Sequence, residues 1–202
     1  MSVENKTIEN KTIGFALTGS FCTFDRVFPV VEALRGAGAR VLPILSFNAY
    51  SLDTRFFTAE EVRKRLTDAA GTEPLHTLEG VEPIGPKHLL DLLIIAPCTG
   101  NTLAKLAAGI SDTPVTLAAK SHLRNNGPVL LGVSTNDGLA VAAKNIGELM
   151  ARRHYYFIPF SQDDPARKPR SLVAHMEETA RCAELALQGI QAQPIFGSPS
   201  RA

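Results

Sequence analysis

The sequence predicts a single three-layer α/β domain, a parallel sheet with helices on both faces, and three observations carry that expectation. The chain has 202 residues, a length that suits one compact domain. Short apolar runs alternate with segments of helical spacing, the pattern of right-handed βαβ units. One run, DLLIIAP at residues 91–97, is apolar almost throughout, as a central parallel strand covered on both faces requires.

Taken in order, residues 1–11 read as a tail, with a short duplication of NKTI at 5–8 and 10–13 that is too small to be a structural repeat. IGFALT is a buried strand ending in Gly19-Ser20. Residues 24–37 carry Val27, Val30, Val31 and Leu34 at helical spacing, and Gly36 and Gly38 stop the helix. RVLPILS is a second strand, in which Pro43 removes a ladder donor and so points to an edge or a bulge. Thr58 and Glu61 have capping-box spacing and open the helix EEVRKRLTDAA. A proline-rich loop follows, with a short strand near Leu75, and then the central strand. Helices are expected at 102–108, 115–123, 139–152 and 173–187, with strands at PVLLGVST and YYFIPF. The domain proper spans 12–190, and 191–202 read as a second tail.

Composition excludes several classes. Hydrophobic residues make up 45% and charged residues 20%, which excludes a disordered chain. No apolar run approaches the roughly 20 residues that span a bilayer, and the first residues lack the apolar core of a signal peptide. With 21 basic against 20 acidic residues, charge argues for neither a nucleic-acid nor a membrane partner. Cys22, Cys98 and Cys182 form no CxxC pair, and the five histidines show no ligand spacing, so neither a disulfide framework nor a metal site is expected. These readings point to a cytoplasmic protein.

Ligands of open α/β sheets bind outside the carboxyl ends of the strands. LTGSFCT there places Gly19, Ser20 and Thr23 between a strand and a helix, where helix-start amides and hydroxyls suit a phosphate. The same residues also suit a plain turn with an N-cap. Ser20-Phe21 replaces the Lys-Ser/Thr of a Walker loop, and GxGxxG is missing, so neither nucleotide hydrolysis nor a nicotinamide site is expected. APCTGNTLAK gathers Pro97, Thr99, Asn101 and Thr102 at a helix start, a neutral donor and acceptor set for a polar heterocycle or phosphate, or a set of caps.

APCTGNTLAKLAAGISD resembles the A-P-[AS]-[TS]-A-N-T-x-A-K-x-A-x-G-x-[AS]-D signature of flavin-binding cysteine decarboxylases, Rossmann-like proteins that assemble as trimers or groups of trimers around FMN. The resemblance implies a flavodoxin-like fold. It places the FMN phosphate at Gly19, Ser20 and Ser46, the ribityl chain and ring at Thr99, Asn101 and Thr102, and substrate near Asn136. The sequence departs from the decarboxylases in two places. Their catalytic histidine falls in EPIGPKH, where His88 is out of register, and Thr135 precedes Asn136 where they have methionine.

A longer set of motifs, LTGSFCTFD, SLDTRF, IGPK, APCTGNTLAKLA, GVSTND and IPFSQDDPARKPRSLVA, resembles the B subunits of dipicolinate synthase. That resemblance implies a sporulation enzyme of the mother-cell cytoplasm that oxidises dihydrodipicolinate to pyridine-2,6-dicarboxylate. It also implies a partner, the synthase's A subunit, which resembles nicotinamide-dependent dehydrogenases and would bring NADP.

Such a substrate needs cations or oriented amides around two carboxylates. Arg55 is the first candidate, flanked by hydroxyls after the second strand, with Lys87, Lys120, Arg124, Arg167, Lys168 and Arg170 behind it; Arg55 could instead pair with Asp53 or Asp25. Losing a hydride equivalent requires an acceptor, so the chain is expected to need the A subunit, with 158–174 as a protruding contact loop. The rival expectations are a scaffold for that partner with a vestigial flavin pocket, and an FMN-dependent decarboxylase of another acid. No residue is singled out as catalytic.

Overall fold

The computed structural model describes residues 8–197. Seven strands form one sheet in the order β2-β1-β3-β4-β7-β6, with β5 also paired to β4. They are β1 (Thr12–Leu17), β2 (Arg40–Leu45), β3 (Leu92–Cys98), β4 (Val129–Thr135), β5 (Tyr155–Phe157), β6 (Phe160–Ser161) and β7 (Leu172–Ala174). The helices are α1 (Phe24–Gly36), α2 (Phe47–Ser51), α3 (Ala59–Ala70), α4 (Leu78–Val81), α5 (Gly100–Ala108), α6 (Pro114–Leu123), α7 (Val141–Met150) and α8 (Thr179–Leu187).

The expected architecture is present: β1 to β5 are parallel, and the fold is flavodoxin-like. β3 lies between β1 and β4 with every residue buried, as its unbroken apolar run requires. Pro43 resolves to the edge alternative. β2 ends the sheet, and its register with β1 runs through Phe15 and Pro43 without a bulge. Leu75 makes only an isolated bridge to Ile44. Thr58 and Glu61 form the capping box of α3, which Gly71 closes in the left-handed region at φ 77°.

The C-terminal third differs from the sequence reading. YYFIPF is two strands, because Ile158-Pro159 turns the chain out of β5, which is parallel to β4, and into β6, which pairs antiparallel with β7. β7 in turn pairs antiparallel with the end of β4, Ser134 opposite Val173 and Thr135 opposite Leu172. The sheet is therefore mixed, and residues 172–174 are strand where a helix from 173 was expected; α8 starts at Thr179.

The core lies between sheet and helices. Phe15, Phe24, Phe157 and Phe160 are among its largest fully buried side chains, each worth about 1.5–3 kcal/mol of burial. The boundaries expected at 12 and 190 do not mark where contacts stop. Ile8 is buried, Asn10 donates to Gly38 O, and Lys11 pairs with Asp91 at 3.2 Å. Gln191 holds both the Phe157 amide and carbonyl at 2.8 Å, and Phe196 meets Phe160 edge-on. The first NKTI copy, apart from Ile8, lies outside the described residues, as do 198–202.

Candidate functional site

The parallel strands deliver their carboxyl ends to one rim, and β1 and β3 are tied together there by Thr18. Its buried hydroxyl donates to Pro97 O at 2.7 Å and accepts from the Thr99 amide at 3.0 Å. Ser20 Oγ meets Ser134 Oγ at 2.8 Å, which joins the turn after β1 to the end of β4. A cavity of about 440 Å3 opens over these links. Its floor is Gly19, Ser20, Phe21, Cys22 and Thr99, and one wall is the end of β4 and its turn, Ser134 to Asp137.

Two loops complete it. Thr54, Arg55 and Phe56 enter from the segment after α2. That segment is fixed by Phe57, which packs 6.1 Å from Phe24 and 6.0 Å from Phe28, and by Asp53, which accepts from the Ala59 amide at 2.8 Å. Asp163, Lys168 and Ser171 enter from the loop that joins β6 to β7. Within that loop Asp164 accepts from Arg167 at 2.6 Å, and Gln162 donates to Pro169 O at 2.8 Å. Residues 158–174, expected to protrude, instead fold back as a hairpin of β6 on β7, which pairs with β4, and the loop between them lines the cavity. The short β6 and β7 give this run buried ends that its charged, proline-broken composition hides.

Of the residues expected to form the site, Gly19, Ser20, Thr99, Arg55 and Asn136 come together in the cavity. Arg55 pairs with neither Asp53 nor Asp25; its guanidinium lies 4.8 Å from the Phe56 ring centre, and Asp25 binds Arg65 at 2.8 Å. The others lie outside the lining. Thr23 is buried, its hydroxyl donating to Ser20 O at 2.7 Å. Ser46 caps α2 by accepting from the Ala49 amide, and Asn48 of that helix stands beside Gly19. Pro97 is buried, and Thr102 bonds the Thr99 hydroxyl at 3.1 Å. Asn101 is exposed in the first turn of α5. Lys87 is exposed on the loop leading into the amino end of β3, the opposite rim.

Sequence reasoning missed Asp163 and Ser171 as lining residues and ranked Lys168 behind Arg55; of the two strand-end cysteines that could approach the site, Cys22 lines it and Cys98 is a buried packing residue. The signal available was the pair of short apolar stretches, IPF and SLVA, that bracket the charged run and fold it back as a hairpin.

The cavity holds both charge signs. Asp137 accepts a hydrogen bond from Thr135, and Gly100 sits against that pair: a Cβ there would lie 2.7 Å from both Thr135 Oγ1 and Asp137 Oδ1. Lys168 binds Asp163 at 3.0 Å, and that hydrogen bond raises the lysine pKa. Burial raises the Asp163 carboxyl, but the nearby Ser171 hydroxyl and Lys168 more than offset it and leave it lowered. Among the thiols, burial pushes Cys98 far up and out of nucleophilic use, while Cys22 stands exposed in the cavity.

The donor set suits FMN. Neutral hydroxyls and the backbone of the Gly19-Ser20 turn, which leads through the 3-10 turn Phe21–Thr23 into α1, line a cavity of cofactor size.

Three comparisons bear on this geometry. The family model described as Flavoprotein matches residues 1–181. The B subunit of dipicolinate synthase from Bacillus subtilis is 47% identical over 190 residues, 94% of this chain and 95% of that protein. The crystal structure of the corresponding B subunit from Bacillus halodurans superposes with a TM-score of 0.87 at 42% identity, over 95% of this chain and 98% of that one. The FMN-dependent cysteine decarboxylase SpaF, at 16% identity and a TM-score of 0.67 over 90% of this chain and 99% of that one, shares the fold.

Proposed function

This chain belongs to the flavoprotein family and, within it, to the group of dipicolinate synthase B subunits, and from that premise we propose that it holds FMN and a pyridine-type dicarboxylate in the cavity over β1 and β4, as one half of a two-component oxidoreductase. The observation that carries the reading is the meeting of three separated segments in one cavity: the Gly19-Ser20 turn, the Thr99 helix start and the Arg55 loop.

The turn would supply oriented amides and hydroxyls for a phosphate, with Asn48 beside Gly19 and Ser46 capping the same short helix. Arg55, without an ion pair among the described residues, is free to take a carboxylate in a charge-assisted hydrogen bond. Asn136 offers an amide from the β4 turn. We take Asn101, exposed just beyond Thr99, to reach a ligand shared with a second copy in a homo-oligomer such as a trimer or an assembly of trimers; its exposure supports this.

Aromatising dihydrodipicolinate releases one hydride and one proton. FMN, when bound, supplies a two-electron acceptor. The chain carries no GxGxxG turn, so we assign NADP to the synthase's A subunit. Turnover is expected only when both proteins are present, in the mother cell during sporulation.

The test combines dihydrodipicolinate-generating enzymes and NADP with this chain, with its synthase partner, and with both, while dipicolinate absorbance is followed. Sustained turnover only in the full mixture supports the reading. Full turnover by this chain alone removes the dependence on the partner, and no dipicolinate from the full mixture removes the assignment.

A further inference from the structure

The cavity holds a second cation on a separate loop, and its only ion-pair partner among the described residues is a carboxylate of the same loop. Lys168 is borne between β6 and β7, beyond β4 in the sheet, whereas Arg55 follows β2 at the far edge. The two loops therefore reach one cavity from opposite ends of the strand order. The Lys168 ammonium binds Asp163 Oδ2 at 3.0 Å. Asp163 Oδ1 is buried, and among the described residues no donor meets it at full hydrogen-bond geometry, the nearby Ser171 hydroxyl included. The pair is partly open to water, with side-chain exposures of 52% for Lys168 and 30% for Asp163, so the ion pair is weak and exchangeable.

We infer that Lys168 is the second carboxylate-binding cation of this cavity, and that Asp163 is a built-in competitor that Lys168 leaves when a ligand carboxylate arrives. The inference rests on the reading of the cavity as a dicarboxylate site and deepens it. One carboxylate of the ligand meets Arg55 and the other meets Lys168. A monocarboxylate engages one cation and leaves the Lys168–Asp163 pair in place. The device makes the site selective for two carboxylates, since only a ligand that reaches both loops repays the broken pair. The rest of the loop stays anchored during the exchange, because Asp164–Arg167 and Gln162–Pro169 do not involve Lys168 or Asp163 side chains.

The test is calorimetric titration of the full chain, in the presence of FMN, with pyridine-2,6-dicarboxylate and with pyridine-2-carboxylate. Lys168→Ala is expected to weaken the dicarboxylate at least tenfold and the monocarboxylate less than threefold. Lys168→Arg is expected to restore most of the loss, and Asp163→Asn to tighten the dicarboxylate. Circular dichroism and thermal melting confirm that each variant is folded. Unchanged dicarboxylate affinity in Lys168→Ala overturns the inference alone. Weakening in Asp163→Asn equal to that in Lys168→Ala also overturns it, since Asp163 would then be orienting the lysine. If the wild type binds neither compound, the dicarboxylate reading of the cavity falls and this inference falls with it.

Discussion

The Ser20 and Ser134 hydroxyls meet at 2.8 Å although 114 residues separate them and β3 lies between their strands. The bond brings the turn after β1 to the end of β4 and sets the floor of the cavity. Deleting either hydroxyl should cost about 0.5–1.5 kcal/mol, and the double variant should cost little more than one of them. A double-mutant cycle on unfolding free energy checks this. Strictly additive losses would mean that the two side chains act independently.

Gly100 is required by the β4 turn rather than by its own helix. Its missing Cβ leaves room for the Thr135–Asp137 pair, which a methyl group would meet at 2.7 Å on both oxygens. Gly100→Ala should therefore raise helix propensity and still weaken ligand binding, by about tenfold or more in FMN or dicarboxylate titration. Unaltered binding with raised stability would show that the turn yields freely.

Asn101 gives the complementary case. It is exposed, and its side chain makes no hydrogen bond among the described residues, so Asn101→Ala should leave stability within about 0.5 kcal/mol. Loss of one hydrogen bond to ligand should lower flavin affinity by about 0.5–1.5 kcal/mol. Thermal melting and flavin titration separate the two effects.

Far from the site, burial holds the His122 imidazole below its ordinary value of 6.5. The unfolded chain therefore takes up this proton first as pH falls. The contribution of neutral His122 is complete above the unfolded value and is lost as pH drops below about 6.5 toward the folded value. Wild type should lose more stability than His122→Gln between neutral and mildly acidic pH, measured by denaturant unfolding. Gly127→Ala should also destabilise, by roughly 1–3 kcal/mol, because its Cβ would fall 2.2 Å from the His122 ring.

Cys22 reports occupancy of the cavity. It is exposed and lines the cavity, whereas Cys98 and Cys182 are buried. Alkylation of the native chain should modify Cys22 first, and saturating pyridine-2,6-dicarboxylate or FMN should slow it severalfold. Mass spectrometry of the labelled peptide checks both statements.

The parts legible in the sequence were those set by local pattern. The apolar run at 91–97 gave β3, the Thr58–Glu61 spacing gave the start of α3, strand ends pointed to Gly19, Ser20 and Thr99, and the family resemblance pointed to Asn136. What was hidden depended on long-range pairing. β7 is three residues long, and its place beside β4 rests on partners some 40 residues earlier that no periodicity reveals. The cavity roof was hidden with it, because a charged run between prolines has the same composition whether it protrudes or folds back. Thr23 and Thr102 looked like ligand hydroxyls because a cap and a binding group use the same atoms, and the structure gives both hydroxyls intramolecular bonds.

The most direct measurement of the central claim is titration of FMN with the purified chain, followed by flavin fluorescence, with pyridine-2,6-dicarboxylate then added to the saturated sample. The account predicts a saturable change in the flavin signal and a second saturable change when the dicarboxylate enters beside it, the second diminished in Arg55→Ala. Flavin fluorescence that stays at its free value at every protein concentration would contradict the account.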